Sequence, residues 1–219
     1  MKRWRWRLFG GVLAMAVAIT VVVLAVGQTA PSASASRPPS LVIVGDSLST
    51  GFGTSPDAAW PHLLAEQTRG RLNVVNASEN GAGYLTGGDN NGTFGSNAVA
   101  AVTPDTQTVV FFGSENDMGG TASDLTGAAV SALRSAHTTA PDARLIVVGP
   151  TAFTNEPEPD RLAVRDALKA AAAQTHSRFV DPLAENWLAS PQYVGPDGDH
   201  PTVAGQQQLA KEMMRVLGL

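Results

Sequence analysis

The segment Leu41-Val42-Ile43-Val44-Gly45-Asp46-Ser47-Leu48-Ser49 decides how the rest of the chain is read. An apolar run, mostly β-branched, stops at a glycine and passes into a polar turn. An unbroken run of this kind suits a parallel strand covered on both faces, whereas a half-exposed strand alternates. Similar runs recur at 72–76 (LNVVN), 108–112 (TVVFF), 144–149 (RLIVVG) and 178–180 (RFV). Between them lie stretches with helical spacing. Residues 60–68 carry Pro61 at a first-turn position, and 123–137 have Ser123 as cap before Leu125, Ala128, Ala129, Ala132 and Leu133. Residues 160–174 and 204–217 follow the same logic. Strand and helix in alternation predict right-handed crossovers and an α/β fold, a three-layer α/β/α sandwich on a five-stranded parallel sheet. Ligands of such sheets sit at the carboxyl ends of the strands. The stretch 87–95 (GGDNNGTFG) reads as one long surface loop.

Composition sets bounds on partners. Of 219 residues 43% are hydrophobic and 16% charged, a globular balance. Setting aside the basic residues Lys2, Arg3, Arg5 and Arg7 leaves 11 Lys and Arg against 19 Asp and Glu, a formal charge of −8 on the body. An acidic body is poorly suited to phosphate backbones, so no nucleic-acid partner is expected. The chain has no cysteine, which excludes a thiol nucleophile, a disulfide and a thiolate metal site.

The first 36 residues differ from the rest. MKRWRWR is basic, residues 8–27 carry no charge, and small residues follow, with an A-x-A pattern at Ala33-Ser34-Ala35. This layout predicts export, as a cleaved signal peptide or as an uncleaved N-terminal membrane anchor over 1–36. Residues 37–40 then form a linker, and 41–219 the domain. Both alternatives place the body outside the cytoplasm, secreted or held to the membrane by the N-terminal segment alone.

Chemistry is expected where strands end. Ser47 directly follows the first run. Asp197-Gly198-Asp199-His200-Pro201 opens the last helix, and a carboxylate three residues before a histidine on one turn can orient its ring. A serine hydroxyl becomes a useful nucleophile when a neighbouring base takes its proton, the part His200 would play. Asp197 is favoured over Asp199 by that spacing. The developing oxyanion needs donors, which Gly81 after the second run and Asn116 after the third could supply, with Gly83 an alternative to Gly81. Asp46 and Asp117 read as structural, and His62, His137 and His176 as surface or partly packed residues. Asp89, Asp197 and Asp199 match no full calcium loop, so neither a metal nor another cofactor is assigned.

Four segments together resemble the SGNH (GDSL) hydrolases. Gly45-Asp46-Ser47-Leu48-Ser49 resembles the first block of that family, and Val75-Asn76-Ala77-Ser78-Glu79-Asn80-Gly81 the second. Gly113-Ser114-Glu115-Asn116-Asp117 resembles the third, and Asp197 to His200 the last. The resemblance spans 41–217 with all blocks in family order. It implies a flavodoxin-like sandwich and metal-free acyl-ester hydrolysis, with Ser47 as nucleophile, His200 as base and then acid, and Asp197 as its partner. The implied oxyanion donors are the Ser47 backbone, Gly81 and Asn116. One departure stands out: the usual G-x-N-D of the third block is G-x-x-N-D here, with Glu115 as the additional residue. The expected activity is ester hydrolysis through an acyl-Ser47 intermediate, on a small-molecule, glycan or lipid acyl ester. Acyl transfer by the same chemistry, or a non-catalytic glycan- or lipid-binding module, are the alternatives.

Overall fold

A computed structural model describes residues 37–219; the expected signal or anchor over 1–36 lies outside the described residues. Strand β1 (Ser40–Gly45) is the second strand of a sheet ordered β2-β1-β3-β4-β5. Its neighbours are β2 (Asn73–Asn76) and β3 (Thr106–Phe112), with β4 (Arg144–Val148) and β5 (Arg178–Val180) beyond β3. Every pairing is parallel. This is the doubly wound order of flavodoxin-like sheets, and it puts the switch point at the end of β1.

Successive strand side chains face opposite layers. Val42, Val44, Val109, Phe111 and Val147 pack under helices α3 (Phe94–Ala101), α4 (Ala122–Thr139) and α5 (Pro159–Gln174). Leu41, Ile43, Val110, Phe112 and Ile146 face the other way, against α2 (Trp60–Gln67) and α6 (Val203–Leu217). Both sides of the central strands are therefore dry, which is why they read as continuous apolar runs. Strand β2 departs from that expectation: it is an edge strand, mostly exposed, with Val75 at 37%.

Three further differences have local causes. The expected loop 87–95 ends early, because α3 starts at Phe94 with Thr93 as its cap. Thr93 and Ser96 exchange side chain-to-backbone hydrogen bonds, a capping box that outweighs Gly95 inside the helix. Helix α4 is capped two residues earlier than expected, with Thr121 rather than Ser123 as cap, its side chain accepting from the Asp124 N–H. Helix α6 begins only after the Asp197–His200 segment, capped by Thr202. No helix among the described residues is long and apolar enough to cross a membrane.

The second layer also fixes the end of β1. Buried Gln206 of α6 accepts from the Trp60 N–H at 2.8 Å and donates to the Leu48 carbonyl at 3.0 Å. The Trp60 indole donates to Ser49 Oγ at 3.1 Å. The short helix α1 (Ser47–Thr50) is thus held from below by fully satisfied polar contacts.

Candidate active site

Asp46 creates the turn that presents Ser47. Its carboxylate accepts from the Leu48 N–H at 3.0 Å and its carbonyl from Ser49 and Thr50, making it the cap of α1. Burial raises its pKa well above the ordinary carboxylate value, reinforced by the nearby Glu115 charge. Gly51, at φ 85°, closes the helix after one turn. Ser47 therefore stands at the carboxyl end of β1, 8% exposed.

His200 reaches the same point from the loop before α6. Its Nε2 lies 3.0 Å from Ser47 Oγ and its Nδ1 2.8 Å from Asp197 Oδ2. The other oxygen of Asp197 accepts from the His200 and Asp199 backbone N–H groups, both at 3.1 Å. The hydrogen bond from His200 holds the Asp197 carboxyl below its ordinary value, helped by those two backbone donors. Of the two aspartates in the turn, the His200 ring is bonded to Asp197. The turn closes through Gly195, whose N–H donates to the His200 carbonyl at 2.7 Å. Phe52 lies against the imidazole, ring centres 4.6 Å apart.

The loops after β2 and β3 flank this line. Gly81 has φ 72°, a conformation glycine adopts without strain. The N–H groups of Gly81 and Ser47 donate to no protein acceptor among the described residues. Asn116 gives one amide hydrogen to the Ala82 carbonyl at 2.8 Å, which also accepts from Ser114 Oγ at 3.1 Å. Asn116 has a second amide hydrogen to offer. Asp117 is structural as expected, and extensively so. Its carboxylate accepts from Tyr84, Leu85 and Thr86 N–H at 2.7, 3.0 and 3.1 Å. Gly83, the alternative to Gly81, serves that packing: a Cβ there would lie 2.4 Å from Asp117 Oδ1.

Glu115, the residue that lengthens the third block, is pinned by an arginine that sequence inspection did not single out. Arg161, 9% exposed, bonds the Glu115 carboxylate, the Thr151 carbonyl at 2.7 Å and Glu158 at 3.0 Å. The loops after β3 and β4 are joined to the start of α5 by this one guanidinium. Burial raises the Glu115 pKa, and the Arg161 charge works against it. Forty-six residues separate the partners, so no local pattern announces the pair.

A serine, a histidine and an aspartate bonded in that order at the carboxyl edge of a parallel sheet have the geometry of a serine hydrolase. Comparison with known proteins agrees. Residues 43–208 match the GDSL-like Lipase/Acylhydrolase family. A GDSL lipase of Mycobacterium tuberculosis is 34% identical over 190 residues, covering 82% of this chain and 81% of that protein. The fold is similar to the crystal structure of TesA, with TM-score 0.67, 23% identity, and 81% and 97% of the two chains covered. It is likewise similar to Est24, a carbohydrate acetylesterase from Sinorhizobium meliloti, with TM-score 0.66, 15% identity, and coverage of 82% and 98%. The chain belongs to the GDSL-like lipase/acylhydrolase family, and is a hydrolase of the esterase and lipase kind.

Proposed function

We propose that the protein is an exported carboxylic ester hydrolase working through an acyl-enzyme on Ser47. The observation that carries this is the bonded line from Ser47 Oγ through His200 to Asp197, at 3.0 and 2.8 Å. In the first half-reaction Ser47 Oγ attacks the ester carbonyl carbon while His200 Nε2 takes its proton. Asp197 keeps the Nδ1 hydrogen in place and balances the imidazolium charge. The Ser47 and Gly81 N–H groups and the remaining Asn116 amide hydrogen are the donors offered to the oxyanion. Collapse breaks the ester C–O bond, and the imidazolium protonates the departing alcohol. Water then attacks the acyl-serine with His200 as base, and Ser47 leaves reprotonated with release of the carboxylic acid. Export is supported by the basic start and uncharged stretch at 8–27.

The test is hydrolysis of p-nitrophenyl esters, acetate through decanoate, by the purified protein and its Ser47→Ala variant. Wild type turns over, and the variant loses about three or more orders of magnitude in kcat. A folded but inactive wild type, or a variant that keeps its rate, overturns the assignment.

A further inference from the structure

Beyond the turn that carries Ser47, the surface formed by the loops that follow β1 and β2 is indented, with Ser47 and His200 themselves outside its lining. Two hollows, of about 350 and 430 Å³, share Thr50 and Asn80 as a common lip. Thr50 Oγ1 lies 3.1 Å from the Ser47 carbonyl and 2.5 Å from Asn80 Oδ1, two acceptors for its one hydrogen, so the lip adjoins the nucleophile turn. The nearer hollow is bordered by Phe52, which is 49% exposed while its ring rests against His200. The farther one is bordered by Ser78, Asp89, Asn90 and Asn97.

The farther wall is held in place yet has hydrogen-bonding capacity to spare. Glu79 accepts from the backbone of Asn90 and Gly92 and from the Asn97 amide, which ties the glycine-rich loop to α3. The Asp89 N–H donates to the Asn80 carbonyl at 3.0 Å. Asp89 accepts a hydrogen bond from the Asn80 side chain at 3.3 Å through one oxygen and has the other available. Among the described residues, neither hollow has a lysine, arginine or histidine in its lining.

These features select among alcohols. A phosphate-bearing lipid head group would meet carboxylates and no cation. A second alkyl chain would strand the amide and hydroxyl groups of the wall without partners. A sugar offers an apolar C–H face for an aromatic ring and a rim of hydroxyls that donate and accept. Resting on the esterase assignment above, we propose that the alcohol half of the substrate is a sugar, seated on Phe52 with its hydroxyls toward Asn80, Asp89 and Asn97. Phe52 and Asp89 are then specificity-determining residues.

The experiment compares 6-O-acetylglucose, whose other hydroxyls are free, with p-nitrophenyl acetate, whose alcohol offers no sugar hydroxyls, for wild type, Asp89→Ala and Phe52→Ala. The readout is the ratio of kcat/KM for the sugar ester to that for the aryl ester, which a general loss of folded enzyme does not move. The ratio falls about tenfold in each variant, as expected for losing one or two contacts made to the sugar alone. If wild type cleaves the aryl ester but not the sugar ester, or the ratio is the same in all three proteins, the sugar assignment fails and the esterase assignment stands. Faster cleavage of lysophosphatidylcholine than of the sugar ester also overturns it. If folded wild type cleaves neither acetate, the esterase assignment fails and the sugar assignment with it.

Discussion

Replacing Arg161 with methionine removes the charge that neutralises Glu115 while filling most of the space. The guanidinium has three partners, and they do not weigh equally. Glu158 is half exposed, 49% by its side chain, so its ion pair is worth about 0.2–1 kcal/mol. The Thr151 carbonyl loses one hydrogen bond, about 1–2 kcal/mol. Glu115 is the large contribution: its side chain is 18% exposed and would stay behind as a nearly buried, unpaired carboxylate. Breaking one side of such a pair costs about 3–5 kcal/mol. For a body of this size that lowers Tm by about 6–20 °C, at about 2–4 °C per kcal/mol. The sign with pH follows from the direction of the shift. Burial already raises the Glu115 pKa, and without Arg161 it rises further. The folded state then holds that proton more tightly than the unfolded chain, so stability falls as pH rises from the ordinary glutamate value through the folded one. The deficit of Arg161→Met is therefore larger at pH 8 than at pH 5. Adding Glu115→Gln recovers at least about half of it, because a neutral amide is cheaper to bury than a lone charge. Thermal and urea unfolding of wild type, both single variants and the double variant at the two pH values make the check. A deficit under about 1 kcal/mol, or one indifferent to pH and to the Glu115 substitution, would refute the assigned role.

Two further outcomes follow from the site. Asp197→Asn leaves the fold intact but loses the carboxylate that balances the imidazolium, lowering kcat on p-nitrophenyl acetate by about 10²–10⁴ with a smaller change in KM. Gly83→Ala drives a methyl into the Asp117 carboxylate, 2.4 Å from Oδ1, and costs about 1–3 kcal/mol in urea unfolding. The same variant loosens the loop that carries Gly81, so its kcat also falls; unchanged stability would show that the Asp117 contacts are dispensable.

What the sequence revealed and what it concealed divide along physical lines. Strands β1, β3 and β4 were legible because both of their faces are buried, and burial on both sides writes an uninterrupted apolar run. Strand β2 was placed for the same reason, yet it lies at the sheet edge, its register set by pairing with β1 rather than by burial. Helix α3 was hidden by glycine and asparagine at 87–95; the signals that mark it are Thr93 three residues before Ser96, and Phe94 and Ala98 buried one turn apart. The Ser47, Asp197 and His200 line was legible because each residue lies in a short segment whose spacing is itself chemical. The Glu79 clamp on the glycine-rich loop and the Arg161–Glu115 pair were not, since their partners meet only after the sheet has assembled.

The most direct test of the central claim is covalent labelling with an alkyl phosphonate ester that mimics the tetrahedral acyl-transfer intermediate, read by intact mass and peptide mapping. The account predicts one adduct per chain, on the Ser47 peptide, formed in step with loss of ester hydrolysis and absent in His200→Ala. An enzyme that loses activity through an adduct on another residue, or hydrolyses esters while Ser47 stays unlabelled, would contradict it.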